Sequence, residues 1–120
     1  MNKTFRFLEF KVYQDAKKFY KKIVSITKNF PRPYWELGDQ MRRSSLSVCL
    51  NIAEGSGKNS DKEFNRYLNN SLGSINETAA GVDISFEAKL VTLNDKETTL
   101  LEAKQIADQL GGFSKKLISR

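Results

Sequence analysis

Closely spaced basic residues dominate the first third of this 120-residue chain. Residues 1–43 hold eleven lysines and arginines against four acids, and residues 44–120 hold nine against ten, so the first third carries the whole excess behind the net charge of +6. Such asymmetry indicates an anionic partner, with nucleic acid as the first candidate. A hydrated lysine face that only keeps the protein soluble explains the charge equally well. The residues that we expect to bind phosphates are Lys17, Lys18, Lys21, Lys22, Arg42 and Arg43.

A second group of polar residues falls on predicted helices at positions that a bundle would bury. Arg43, Asn51 and Glu54 share one face of the second predicted helix, and Glu77 lies on the third. Buried without partners, these groups would each cost several kcal/mol. We therefore expect a structural polar network in which Arg43 pairs with Glu54 or Glu77, while Asn51 bonds to backbone or side-chain neighbours. Catalysis by this group is disfavoured because acid and amide side chains offer no evident nucleophile.

The sequence lacks the residues that several kinds of catalytic and metal-binding site require. The chain has no histidine and one cysteine, which argues against a nucleophilic triad or a zinc site. Cys49 falls on an apolar stripe and is predicted to be a core residue. The run from Gly55 to Ser60 resembles the end of a phosphate-binding loop, but Ile52 stands where the first glycine is required and a helix precedes it. We expect a non-enzymatic protein with no catalytic residue, no cofactor and no metal.

Four helices must position the basic and polar residues. Apolar residues recur at steps of three and four over about 10–28, 36–54, 60–89 and 95–117, and no strand alternation appears. Pro31 and Pro33 end the first helix. Short connections favour a single all-α domain over 1–120, an antiparallel up-down-up-down four-helix bundle. The predicted seam of the first helix consists of Val12, Ala16, Phe19, Ile23, Ile26 and Phe30.

Caps and glycines refine this prediction. Ser60 with Glu63 should cap the third helix, and Asn94 with Glu97 the fourth. Gly55 and Gly57 should form the exit from the second helix. Gly73 and Gly81 are interpreted as points of close approach between helices, although a kink is the alternative. Gly111 and Gly112 interrupt the fourth helix and should fray or bend its last turns.

The first two helices carry more apolar surface than one bundle core needs. Tyr13, Tyr20, Leu46 and Leu50 form the surplus, which predicts an interface between subunits of a homo-oligomer. The alternative is that these side chains are only half-buried. No run approaches the roughly 18 apolar residues of a membrane span, and residues 1–10 lack a secretion signal. We expect a cytoplasmic protein.

Two stretches of the second helix resemble a known signature. Gln40-Met41-Arg42-Arg43-Ser44-Ser45 and Asn51-Ile52-Ala53-Glu54-Gly55 are similar to the four-helix bundle proteins that intervening sequences encode in bacterial 23S rRNA genes, formerly labelled ribosomal proteins. The resemblance extends to the opening of the first helix, to Phe30-Pro31 and to the third helix. It implies an antiparallel bundle and a ring-shaped homopentamer.

The resemblance also suggests partners. A related basic bundle is the accessory subunit of diversity-generating retroelements, which binds nucleic acid and a reverse transcriptase. By this analogy we expect a homo-oligomer that binds nucleic acid, most of all RNA, through the lysines of the first helix and the Arg42-Arg43 pair. The alternative is a protein-interaction subunit whose basic face binds an acidic protein.

Overall fold

The computed structural model describes residues 4–119, and every regular element in that range is helical. The four long helices are α1 (Lys11–Thr27), α2 (Trp35–Ser56), α3 (Asp61–Glu87) and α4 (Leu93–Ile118). Single 3₁₀ turns, Arg6–Glu9 and Arg32–Tyr34, precede α1 and α2. The bundle measures 46 × 23 × 21 Å. The predicted all-α four-helix architecture is confirmed.

Contacts between helices establish the antiparallel order. The end of α1 meets the start of α2, where the Arg42 guanidinium donates to Thr27 Oγ1. The start of α3 meets the end of α4, where Ser114 donates to Asn65 Oδ1. Lys22 Nζ lies 3.4 Å from Thr98 Oγ1, which places the second half of α1 beside the start of α4. Each helix therefore runs opposite to both of its neighbours.

The core follows the predicted seams. In α1, Val12, Ala16, Phe19 and Ile23 are buried, and Phe30 closes the loop that follows. Because these side chains recur every three or four residues, one stripe of α1 can face the other three helices. Ile26 is only half-buried but packs against this core, so it lies at the edge of the predicted seam. The remaining buried apolar residues of the helices are Met41, Val48, Cys49, Ile52, Phe64, Leu68, Ile75, Val82, Ala103, Ile106, Leu110 and Leu117.

Capping was predicted correctly for α3 and wrongly for α4. Ser60 Oγ accepts from the Glu63 N–H at 3.2 Å. At α4 the capping pair is Thr92 and Asp95 rather than Asn94 and Glu97: Thr92 Oγ1 accepts from the Asp95 N–H at 3.0 Å, and the Asp95 carboxylate accepts from the Thr92 N–H. The Thr92 hydroxyl, two residues before Asn94, accepts from the Asp95 N–H rather than from that of Glu97, so α4 begins at Leu93.

Three predictions for glycines were wrong and two are confirmed, the first being that Gly57 forms the C-terminal exit of α2. A Cβ on Gly81 would lie 2.5 Å from Met41 Cγ, so α2 and α3 approach closely there. Gly73 has no such neighbour within 4 Å and is not a contact point. Gly55 is buried within α2 instead of leading out of it, because α2 continues to Ser56. α4 runs through Gly111 and Gly112 to Ile118.

Candidate nucleic-acid interface

The outer face of α1 carries most of the unbalanced positive charge. The helix holds five lysines and one acid, Asp15. Lys18 and Lys21 are exposed, and neither forms an ion pair within residues 4–119. Lys17 Nζ lies 5.0 Å from the centre of the Tyr13 ring, which leaves its charge unneutralised. Lys22 is half-buried against the hydroxyl of Thr98. Four predicted phosphate ligands therefore lie along one helix without an ion-paired carboxylate from the part of the chain that the structure describes.

The single acid of α1 is already engaged at the start of the helix. Lys11 donates to Asp15 Oδ2 at 2.7 Å, and Gln109 of α4 donates to the same oxygen at 2.9 Å. The hydrogen bond from Lys11 is the main reason that the pKa of Asp15 lies below its usual value, and the Gln109 bond lowers it further. Asp15 thus forms its ion pair with Lys11, although the charge of Lys18 also lowers its pKa, and the four lysines that follow form no ion pair among residues 4–119.

The two arginines of α2 have different surroundings. Arg42 donates to Thr27 Oγ1 at 2.7 Å and to the Asp39 carboxylate, so its guanidinium cross-links α1 and α2. Arg43 is exposed and makes no ion pair in the described part of the chain. Of the predicted pair, Arg43 is the residue whose charge is free for an anion, because Arg42 is already held by Thr27 and Asp39.

The predicted polar network does not form as expected. Arg43 pairs with neither Glu54 nor Glu77 among residues 4–119, because its side chain is exposed to solvent. Gln40, one turn earlier in α2, instead reaches α3 and donates a hydrogen bond to the Glu77 carboxylate. Glu54 instead lies 3.8 Å from Lys58 Nζ. The expectation for Asn51 was correct, since its amide donates to both the carbonyl and the hydroxyl oxygen of Ser47, each at 2.9 Å.

Small hydroxyl side chains join α2 to α3 in place of charged pairs. The Ser44 and Thr78 hydroxyls lie 2.6 Å apart, and Ser71 donates to the Val48 carbonyl at 2.9 Å. Ser44, Thr78 and Ser71 are buried, and each has a partner, so the α2–α3 seam is polar but satisfied. The run of small residues on α2 was the signal in the sequence for this contact. The sequence did not show that α3 would supply the hydroxyl partners.

Two of the four residues in the predicted subunit interface are exposed leucines of α2. Leu46 and Leu50 are 38% and 56% exposed, and Tyr20 lines the same groove as Leu46 and Arg43. Tyr13 is partly covered within the chain, where its ring meets Phe7 edge-on at 5.0 Å. Tyr20 and Leu46 thus line one groove, and Leu50 is the more exposed of the two leucines.

Cys49 is a core residue, as the sequence predicted. Its side chain is buried, and burial raises the pKa of the thiol to about 11. A thiol that stays protonated at neutral pH is a poor nucleophile.

Comparison with known sequences decides the family. Residues 8–112 match the sequence pattern described as 23S rRNA-intervening sequence protein, which covers most of the chain. The chain belongs to this family. The resemblance inferred from α2 is therefore confirmed at the level of the 23S rRNA-intervening sequence proteins.

A solved structure has the same fold. A crystal structure of a protein of unknown function from the S23 ribosomal protein family of Bacteroides thetaiotaomicron superposes with a TM-score of 0.72. It is 24% identical in sequence, and the match covers 87% of this chain and 98% of that one. No match was found among curated proteins. No helix within residues 4–119 is long and apolar enough to cross a membrane.

Proposed function

We propose that this member of the 23S rRNA-intervening sequence family is a non-enzymatic homo-oligomer that binds nucleic acid, RNA above all, through phosphate contacts. The observation that supports it most is the row of lysines on α1: Lys17, Lys18, Lys21 and Lys22 have no carboxylate partner within the described residues. Arg43 of α2, which forms no ion pair in the described part of the chain, lines a groove with Tyr20 of α1 and adds a further positive charge.

The spacing of the lysines suits a polyanion. Lys17 and Lys18 are followed one helical turn later by Lys21 and Lys22, a rise of about 6 Å at 1.5 Å per residue. A ligand that presents phosphates at intervals can therefore meet both pairs at once, whereas a single small anion cannot. Contacts of this kind hold the backbone of a nucleic acid without reading its sequence.

Charge reversal on α1 tests the proposal. In filter binding with a labelled 20-nucleotide RNA at low salt, Lys18→Glu with Lys21→Glu should weaken binding at least tenfold, because two phosphate contacts become repulsive. The matched control, Lys62→Glu with Lys104→Glu, makes the same change in net charge on α3 and α4 and should have a much smaller effect. Equal losses in both variants would show that only net charge matters, and no binding by the wild type would refute the proposal.

An acidic protein is the competing partner for the same face. A pull-down with the wild-type chain distinguishes an acidic protein from a nucleic acid. A protein that remains bound after nuclease treatment, but does not bind the Lys18→Glu, Lys21→Glu variant, would favour the acidic protein. RNA that is recovered with the chain and removed by the nuclease would favour nucleic acid.

Assembly would gather lysine faces from several copies onto one shared surface. We assign the contact between copies to the surface around Tyr20, Leu46 and Leu50, with a pentamer as the ring size suggested by the family resemblance. Light scattering should give a multiple of the subunit mass of 13.7 kDa. Leu50→Glu should lower that multiple, whereas Leu101→Glu, which changes an equally exposed leucine of α4, should not. A monomeric wild type would refute this part.

A further inference from the structure

The loop between α1 and α2 presents a large aromatic side chain that the phosphate contacts do not use. Trp35, the only tryptophan of the chain, is the first residue of α2 and is 55% exposed. Its indole N–H donates to the Phe30 carbonyl at 3.0 Å, which fixes the ring in place. An exposed ring that is already held costs little side-chain entropy when a ligand packs on it.

Positive charge surrounds this ring. The Arg32 guanidinium lies 5.2 Å from the Trp35 ring centre, and Lys28 and Arg42 line with Trp35 an open cavity of about 390 Å³. Asp39, the acid in this cavity, is occupied by Arg42. Aromatic faces interleaved with cations are the combination by which proteins hold single-stranded nucleic acid, since bases stack on the rings while cations meet the backbone.

The positively charged surface around Trp35 extends the row of lysines on α1. Lys28 follows Lys21 by seven residues, which is two helical turns and about 10.5 Å along the same face. Both side chains are exposed. A strand whose phosphates lie along α1 therefore arrives at Trp35 without crossing an unbalanced acidic residue of α1.

We infer that Trp35, flanked by Lys28 and Arg32, stacks an unpaired base, and that the preferred ligand is a single-stranded nucleic acid. A duplex hides its base faces in its own stack and has none to offer the indole. This inference rests on the proposed function, because it specifies which nucleic acid the lysine face holds. Stacking should contribute about 5- to 150-fold in affinity.

Fluorescence provides a direct test because excitation at wavelengths longer than tyrosine absorbs gives emission from Trp35, the only tryptophan. Titration with a 12-nucleotide single-stranded RNA should quench the emission as the RNA binds. A blunt-ended duplex with the same total number of phosphates, which has no unpaired base, should bind more weakly and leave the emission unchanged. An abasic oligonucleotide of the same length has no base to stack on Trp35. It should therefore bind the wild type and a Trp35→Ala variant with the same low affinity.

Variants separate stacking from charge. By anisotropy of labelled RNA, Trp35→Ala should lose 5- to 150-fold in affinity for the single strand, Trp35→Phe should keep most of it, and Leu101→Ala, an equally exposed apolar residue, should lose none. Circular dichroism melting of Trp35→Ala and Trp35→Phe shows that a loss is not unfolding.

Three results would overturn the inference. If single-stranded RNA binds without quenching the emission, and binds Trp35→Ala as tightly as the wild type, then Trp35 does not stack a base. The proposal that the lysines of α1 contact phosphates would not be affected by that result. A Trp35→Ala variant with a lower subunit number shows that a second copy covers the indole. Absence of any RNA binding, with or without the lysine substitutions, removes the proposed function as well.

Discussion

The α2–α3 seam and the outer face of α1 are both rich in polar side chains, but those of the seam are buried and hydrogen-bonded, whereas those of α1 are exposed to solvent. In the seam, Ser44 bonds to Thr78 and Ser71 to the Val48 carbonyl, so the buried hydroxyls are satisfied inside the chain. On α1, Lys18 and Lys21 are exposed and have no carboxylate partner in the described region.

This difference indicates which polar groups can serve an external ligand. A hydroxyl bonded within the seam gains nothing from a partner outside and holds two helices in register. An exposed ammonium group loses little of its hydration in the folded chain and can exchange its counterions for phosphates. We therefore expect an external ligand to bind the polar residues that folding leaves unpaired, whereas the residues that it pairs contribute to stability.

The largest expected contrast concerns the reactivity of Cys49, which faces the core side of α2. Its pKa of about 11, compared with 9.0 for an ordinary thiol, lowers the thiolate fraction about a hundredfold near pH 8, so alkylation by iodoacetamide should be slower by at least that factor than in denaturant. The raised pKa stabilises the folded, protonated form, and this contribution is complete below pH 9 and is lost as the pH rises toward 11. Equal rates in the native and denatured chain would place Cys49 at the surface.

The next contrast lies between two glycines. A Cβ on Gly55 would come within 2.7 Å of Tyr67 Cβ and 3.3 Å of the Phe64 carbonyl oxygen, whereas one on Gly73 would meet nothing within 4 Å. Gly55→Ala should therefore lower the free energy of unfolding by about 1–3 kcal/mol, and Gly73→Ala should raise it by up to about 1 kcal/mol. Urea denaturation measures both, and a stabilised Gly55→Ala variant would mean that α2 and α3 are not tightly packed there.

A smaller contrast is expected between two buried threonines. The Thr78 hydroxyl is bonded to Ser44 and to the Ser74 carbonyl, whereas Thr99 Oγ1 has no hydrogen-bond partner among the described residues. Thr78→Val should lower the free energy of unfolding by about 1 kcal/mol, while Thr99→Val should keep or raise it, because it removes a buried hydroxyl that bonds to nothing. Thermal melts of both variants check this, and equal losses would argue that Thr99 finds a partner in solution.

Much of the fold could be predicted from the sequence. Val12, Ala16, Phe19 and Ile23 are buried as their spacing required, since the position of a side chain around a helix follows from its number alone. Prediction failed where two groups compete for one role. Thr92 and Asn94 can both cap a helix, and only the geometry of the loop shows that Thr92 does.

The candidate site was predicted less completely, because pairing across helices depends on rotation and register. Arg42 and Arg43 are adjacent in sequence, but they point in different directions, and only Arg42 reaches Thr27. Gln40 rather than Arg43 meets Glu77 for the same reason. The exposed indole of Trp35 could not be foreseen, since its exposure depends on how the loop turns after Phe30.

The salt dependence of RNA binding tests the central claim most directly. For the wild-type chain and a single-stranded RNA, a plot of log K against log [KCl] should be linear with a slope of about −2.8 per subunit or steeper. Lys17, Lys18, Lys21 and Lys22 contribute about −0.7 for each phosphate that they contact, and Arg43, Lys28 and Arg32 can add to this. The Lys18→Glu, Lys21→Glu variant should lose about half of the contribution from the four lysines. A slope near zero, or a slope that the variant does not change, would contradict the assignment of the lysine row of α1 as the nucleic-acid interface.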